Sequence, residues 1–221
     1  MIEAIGSLVV AVLALDQTLE RLALEYGPWL YALLFAVVFA ETGLVVTPFL
    51  PGDSLLFVAG AVAAGVAGAG LDVHVLVGVL IAAAILGDSV NYAIGRWIGP
   101  KVFEHESRWI KREYLTQTQS FYDRYGAVTI IIGRFVPIVR TFAPFLAGVA
   151  ALRYPRFLAY NVAGGILWVA SLVYAGYLFG NLPWVREHLT LIVIVIVVVS
   201  LIPAVATFMR ERRARVTAKR A

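Results

Sequence analysis

The sixteen residues "GRFVPIVRTFAPFLAG", residues 133–148, decide how this chain folds. They lie in a region otherwise made mostly of Val, Leu, Ala and Ile, yet they contain Arg134 and Arg140 beside Pro137 and Pro144. An arginine at the centre of a hydrocarbon layer costs on the order of 3 kcal/mol on insertion scales. A proline inside a helix removes a hydrogen-bond donor and disturbs the turn before it. Both features in one short stretch point to a helix that breaks inside protein, not to an ordinary span in lipid.

The rest of the chain supports a membrane setting. Of 221 residues, 61% are hydrophobic and only 14% charged, where a soluble domain carries about 25% charged residues. There is no cysteine, so disulfides and thiolate metal sites are excluded. The opening "MIEAIGSLVV" lacks a basic n-region and a clear small-x-small cleavage site, so the N-terminus is expected to be retained.

The basic residues are distributed unevenly. Lys101, Arg108, Lys111, Arg112 and Arg124 fall in one segment, Arg153 and Arg156 in "RYPR", and Arg210, Arg212, Arg213, Arg215, Lys219 and Arg220 in the tail. Those thirteen of the eighteen basic residues mark three cytoplasmic segments by the positive-inside rule. The tail reads as a topological anchor and not as a nucleic-acid arm, because it directly follows an apolar run. Segments near 3–25, "LDVH" at 71–74 and "NLPWVREH" at 181–188 are then external.

Residues 75–99, 157–180 and 189–209 have the length and apolarity of spans joining the two sides. Residues 28–70 begin and end outside, whereas 127–150 begin and end inside. Both are interrupted, the first at "TPFLPGDS" with Pro48, Pro51 and Gly52, the second at Pro137 and Pro144. Irregular backbone at membrane depth must be buried in protein or line a wet cavity, so each region is expected to be a re-entrant hairpin. Kinked ordinary spans are the alternative.

The two regions also share sequence. Phe57, Ala59 and Gly60 align with Phe145, Ala147 and Gly148. Each region is followed by a small-xxx-small pattern, Gly95 to Gly99 and Gly176 to Gly180, which lets membrane helices approach closely. The fold expected is an all-α polytopic membrane protein built as an inverted repeat of two re-entrant hairpins, each followed by a transmembrane helix, with a further C-terminal transmembrane helix. Its parts are an N-terminal interfacial helix (1–27, with a further span over 4–26 as the alternative), repeat 1 (28–100), an amphipathic cytoplasmic linker (101–126), repeat 2 (127–180), the last transmembrane helix (189–209) and the basic tail (210–221).

The candidate site follows from the charges inside those segments. Glu41 and Asp53 come from the first hairpin, Arg134 and Arg140 from the second, and the four are expected to pair where the tips meet. Ion pairs that only fix packing are one reading. The other is a binding site, in which the arginine forks hold a phosphate group and the carboxylates pair with them or carry protons. Pro48, Pro51, Gly52, Pro137 and Pro144 are the expected helix breaks, and the freed backbone N–H groups add anion affinity. Asp88 and Asn91 in "GDSVNYAIG" form a possible secondary polar site, either packing or proton relay. Trp97, Trp109, Tyr114 and Trp168 are read mainly as interface anchors. His74, His105 and His188 have no metal-ligand spacing, and no nucleophile elbow or phosphate-binding loop occurs, so neither a metal, a cofactor nor an enzymatic centre is expected.

"ETGLVVTPFLPGDSLLFVAGAVA", "GDSVNYAIGRWIG" and "GRFVPIVRTFAPFLAGVA" resemble the characteristic blocks of the DedA family, also called the SNARE-associated or VTT domain, over roughly residues 25–182. The resemblance implies two oppositely oriented re-entrant hairpins and important positions at Glu41, Asp53, Arg134 and Arg140. It also implies a bacterial cytoplasmic membrane protein that returns undecaprenyl phosphate across the membrane and takes part in proton-dependent membrane homeostasis, or one that flips or scrambles phospholipids. A lipid translocase with an anionic phosphate lipid and protons as partners is therefore expected, and homo-oligomerisation is left open. A proton-coupled carrier of a small soluble ion, a packing scaffold and a membrane phosphatase are the alternatives.

Overall fold

The computed structural model describes residues 25–44, 52–65, 71–104, 128–135 and 137–180, together with residues 22, 182, 184, 192 and 195. The N-terminal helix (apart from residues 22 and 25–27), Pro48, Pro51, Trp109, Tyr114, most of the linker, all but two positions of the last helix, and the tail lie outside the described residues. The described residues form six helices and no strand: α1 Trp29–Gly43, α2 Gly52–Gly65, α3 Val73–Glu104, α4 Val128–Gly133, α5 Pro137–Val149 and α6 Tyr154–Gly180.

Two of these are long and apolar enough to cross a membrane, over Val73–Gly99 and Tyr154–Gly180. The helix of α3 runs four residues beyond the boundary expected at position 100, to Glu104. α1, α2 and α5 are apolar but have only 15, 14 and 13 residues. At about 1.5 Å per residue, each reaches roughly 20 Å, short of the ~30 Å hydrocarbon layer.

Each short helix leans on a long one. α1 and α5 pack on α3, α2 and α4 pack on α6, and α3 meets α6. Leu30, Leu34 and Val38 of α1 repeat every four residues, so they lie on one face and are buried together with Leu76, Leu80, Ala83 and Ala84 of α3. On α6, Trp168, Val169 and Val173 close the same core. The opposite faces remain apolar, with Leu33, Leu86, Ile132, Leu178 and Phe179 exposed. In water this pattern would be a liability, but in lipid both faces of a helix are apolar.

Close approach in two seams depends on glycine. Between α2 and α6, a Cβ added to Gly60 would collide with the Val173 carbonyl oxygen, one on Gly176 with the Phe57 carbonyl oxygen, and one on Gly180 would lie 2.6 Å from Ala61 Cα. Between α5 and α3, a Cβ on Gly148 would collide with the Tyr92 carbonyl oxygen, one on Gly95 with the Phe145 carbonyl oxygen, and one on Gly99 would lie 3.2 Å from Val149 Cα. Every member of the first seam has a counterpart in the second. A third close approach joins α1 to α3, where a Cβ on Gly43 would lie 3.3 Å from Gly87 Cα.

Helix ends are set locally. Asp72 caps α3 through Oδ1, which accepts from the His74 backbone N–H at 2.7 Å and the Val75 N–H at 3.0 Å. These two donors hold its carboxyl below the usual carboxylate range. The Asp72 backbone N–H donates to Tyr31 Oη at 2.7 Å, tying this end of α3 to α1.

Pro137 is the first residue of α5, a position where the missing N–H costs nothing. Arg134 and Phe135 form the turn before it. Gly52 likewise opens α2. Pro144, expected as a helix break, lies inside a continuous α5. Its ring removes one donor, but packing of Ala143, Ala147 and Gly148 against neighbouring helices holds the turn in place.

Replacing Gly60, Gly176, Gly95 or Gly148 by Val is expected to destabilise the protein by at least about 1–3 kcal/mol through overpacking. Gly78→Ala, where a Cβ meets nothing within 4 Å, is expected to raise stability by up to about 1 kcal/mol through helix propensity. Thermal unfolding of the purified variants in detergent distinguishes the two classes.

Candidate functional site

The charged residues come together at the ends of the short helices. Glu41 is in the last turn of α1, Asp53 in the first turn of α2, Arg134 in the turn between α4 and α5, and Arg140 in the first turn of α5. Asp88 lies near the middle of the apolar part of α3, and Asn161 and Trp168 lie on α6. Glu41, Asp88, Arg134, Arg140 and Asn161 are all buried. Asp53 retains 18% of its side-chain exposure.

Arg140 is shared by two acids. Its Nη2 pairs with Glu41 Oε1, and its Nη1 donates to Asp53 Oδ1 at 2.9 Å. The indole Nε1 of Trp168 also donates to Asp53 Oδ1, at 2.8 Å, and the Trp168 ring lies 4.7 Å from the Arg140 guanidinium carbon. Gly52 makes room for this group, since a Cβ there would strike the Glu41 carboxylate.

Arg134 is held differently. Its Nη2 pairs with Asp88 Oδ2 and donates to the side-chain oxygen of Asn161. Asn161 Nδ2 in turn donates to the Ile85 carbonyl at 3.1 Å. Gly164 and Gly165 of α6 leave the space that the guanidinium fills, with a Cβ on Gly164 placed 3.1 Å from Arg134 Nε. Trp168 touches this arginine too, at 5.9 Å, so one ring lies beside both cations.

The expected pairing is thus changed in one respect. Glu41 and Asp53 both go to Arg140, and Arg134 takes Asp88. Asp88 therefore belongs to the central cluster instead of a secondary site. Its expected companion Asn91 lies beside the cluster and bonds backbone next to Glu41 and Arg140. The Asn91 Nδ2 donates to the Thr42 carbonyl at 3.1 Å and the Thr141 carbonyl at 2.9 Å, bridging α1 and α5 across α3.

Trp168 is the clearest correction. It is 1% exposed at the middle of α6, not at a membrane interface. The charge beside it explains why: a large indole supplies both a face for two guanidinium groups and an N–H for a carboxylate. Asn161 is a member of the cluster that sequence reasoning misses. The available signal is a lone amide in an apolar span, the same signal that singles out Asn91. Trp97, 66% exposed, does have the exposure of an interface anchor. His74 is not near the cluster and its Nδ1 lies 2.8 Å from Tyr174 Oη.

Among the described residues, three carboxylates face two guanidinium groups in this cluster, a net charge of −1 for those five groups when all are ionised. Several buried polar atoms have no partner among the described residues: Arg134 Nε and Nη1, Glu41 Oε2, Asp88 Oδ1, Asn91 Oδ1 and Ser54 Oγ. Buried polar groups are usually satisfied, so the cluster retains donor and acceptor capacity beyond its own ion pairs. No group of three or more metal-ligating side chains occurs among the described residues.

The Arg134–Asp88 pair yields a direct test. Arg134→Met leaves Asp88 buried without its counter-ion and is expected to cost about 3–5 kcal/mol, whereas Arg134→Met combined with Asp88→Leu recovers most of that loss. Chemical denaturation of the single and double variants in detergent measures the coupling.

Residues 50–178 match the VTT domain. The chain is 52% identical over 204 residues to Protein DedA of Escherichia coli (strain K12), covering 92% of this chain and 93% of the relative. It is 45% identical over 183 residues to the uncharacterized membrane protein Rv0364 of Mycobacterium tuberculosis, covering 82% and 80%. To the inner membrane protein YghB of Escherichia coli (strain K12) it is 38% identical over 160 residues, covering 72% and 71%. No solved structure matches it. With its apolar helices, its buried ion-pair cluster and these relatives, the chain belongs to the DedA family of membrane proteins.

Proposed function

We propose that this protein is a proton-linked lipid translocase of the bacterial cytoplasmic membrane, with its C-terminus cytoplasmic. Its cargo in this proposal is a lipid bearing an anionic phosphate, such as undecaprenyl phosphate. The observation that carries the proposal is the buried Arg134, whose Nε and Nη1 have no partner among the described residues, where the cluster also has one carboxylate more than it has guanidinium groups.

Arginine stays protonated and gives directed N–H bonds to phosphate oxygens. Arg140 is already shared by Glu41 and Asp53, so an arriving phosphate competes with them. A dianion or monoanion entering a site of net charge −1 is repelled unless a carboxylate takes up a proton. Protonation of Glu41 or Asp53 releases Arg140 toward the ligand, and loss of that proton restores the internal pair and expels the ligand. Binding and protonation are thereby linked through one guanidinium. The N-termini of α2 and α5, beside Asp53 and Arg140, add backbone N–H groups to the anion site.

The architecture that would let this site face both sides is the inverted repeat. Its support is the pairing of the two glycine seams. Positions 57, 60 and 61 of α2 against 173, 176 and 180 of α6 match 145, 148 and 149 of α5 against 92, 95 and 99 of α3. In this scheme α1–α2 and α4–α5 are two re-entrant hairpins entering from opposite faces, each short helix resting on a long one.

The test is a headgroup-flipping assay in proteoliposomes that compares undecaprenyl phosphate with phosphatidylglycerol, phosphatidylethanolamine and tailless inorganic phosphate, with and without a pH gradient. The expected result is movement of the phosphate-bearing polyprenyl lipid, reduced at least about tenfold by Arg134→Ala or Arg140→Ala and partly kept by Arg140→Lys, which offers a point charge without the fork. Full transport by folded Arg134→Ala and Arg140→Ala variants overturns the site. Transport of inorganic phosphate at the same rate overturns the lipid cargo.

A further inference from the structure

A shallow, open concavity lies along the later part of the apolar stretch of α3, beginning one residue past Asp88. It is a cavity of about 460 Å³ lined by Ser89, Tyr92, Ala93, Arg96 and Trp97 of α3 and by Tyr154 of α6. Arg96 is exposed and forms no ion pair among the described residues. It stands three residues before Gly99, where the apolar stretch ends, and Tyr154 is the first residue of α6. Both therefore lie at the same end of the bundle, where Arg153 and Arg156 are exposed as well.

The wall of the cavity is firmly built. Tyr92 is buried, its hydroxyl donates to the Leu152 carbonyl, and its ring stacks on Phe157 at 4.5 Å between centroids. The Tyr154 ring lies 5.5 Å from that of Tyr92 and its hydroxyl donates to Ser89 Oγ at 3.4 Å. An exposed apolar stripe runs along α3 through two of the lining residues, Ala93 and Trp97. Leu86, Val90, Ala93 and Trp97 recur at three- and four-residue intervals, so they share one face of α3, and all four are exposed. Arg96 near the end of the apolar stretch, with an exposed apolar strip running from it toward mid-span, matches the two ends of a lipid molecule.

We infer that this pocket is a binding site for an anionic phospholipid, with the phosphate on Arg96, the glycerol region against Trp97 and Tyr154, and one acyl chain along Leu86, Val90 and Ala93. Charge complementarity selects the anionic headgroup, because Arg96, Arg153 and Arg156 give this end of the bundle a positive surface. The aromatic rings suit the headgroup level, where Trp and Tyr are favoured. A simple interfacial anchor would need no concavity, and a soluble phosphate would need no apolar stripe. The site is separate from the transport proposal: Ser89 adjoins Asp88 in sequence, but Arg96 lies two turns further along α3, about 12 Å by helical rise.

The test is native mass spectrometry of the full chain in detergent, titrated separately with phosphatidylglycerol, phosphatidylcholine and inorganic phosphate. At equal concentration, phosphatidylglycerol is expected to occupy the protein at least fivefold more than phosphatidylcholine, with no adduct from inorganic phosphate at the same concentration. Arg96→Gln should reduce that preference to less than twofold and Arg96→Lys should keep part of it. Trp97→Leu should weaken both lipids. Melting temperatures close to that of the unaltered protein establish that the variants are folded. Equal occupancy by the two lipids, a preference unchanged in Arg96→Gln, or inorganic phosphate binding as well as phosphatidylglycerol would each overturn the inference. None of these readouts involves transport, so the lipid site fails or stands independently of the proposed translocase.

Discussion

Two guanidinium groups buried among apolar helices are the constraint around which this molecule is arranged. Arg140 is neutralised from two helices at once, by Glu41 and Asp53, and Arg134 is neutralised by Asp88 from a third. Removing such charges from water costs several kcal/mol per ion, which only good geometry and additional hydrogen bonds offset. Here the additional partners are the indole of Trp168 and the amide of Asn161. Every described helix except α4 contributes a side chain to the cluster, and α4 leads into the Arg134 turn. The cluster is therefore the junction of the fold as well as the candidate site.

Glycine makes that junction possible. A charged cluster needs helices close enough for short side chains to meet, and lipid supplies no hydrophobic force to push them together. Gly60, Gly176, Gly95 and Gly148 bring backbone against backbone in two matching seams, and Gly43 meets Gly87 beside Thr42. The same device appears within the cluster, where Gly52 clears space for the Glu41 carboxylate and Gly164 for the Arg134 side chain. A methyl group at several of these points would push a charge away from its partner, so packing and electrostatics are set by the same residues.

Much of this is legible in the chain itself. Apolar length identifies the two long helices, and the cost of an arginine in hydrocarbon marks Arg134 and Arg140 as buried and paired. The small-xxx-small patterns at Gly95–Gly99 and Gly176–Gly180 mark the faces that form the seams. Partner choice is not legible. Periodicity places Asp88 on a face of α3 but cannot say which arginine reaches it, because that depends on the turn at Arg134 and Phe135. Trp168 misleads because tryptophan in a membrane helix usually marks the interface, and only the neighbouring charges show why it lies at the centre. Pro144 misleads because local propensity favours a break there, whereas tertiary packing keeps α5 continuous.

The proposed proton coupling rests on one electrostatic inequality among the described residues, three carboxylates against two guanidinium groups, so that an anionic ligand would enter with a proton. Counting protons tests it most directly. Proteoliposomes loaded with a pH-sensitive dye report proton movement while undecaprenyl phosphate is translocated under weak buffering. At least one proton moved per lipid is expected, with the coupling lost in Glu41→Gln. Lipid movement at an unchanged rate from acid to alkaline pH, with no accompanying proton flux, would contradict it.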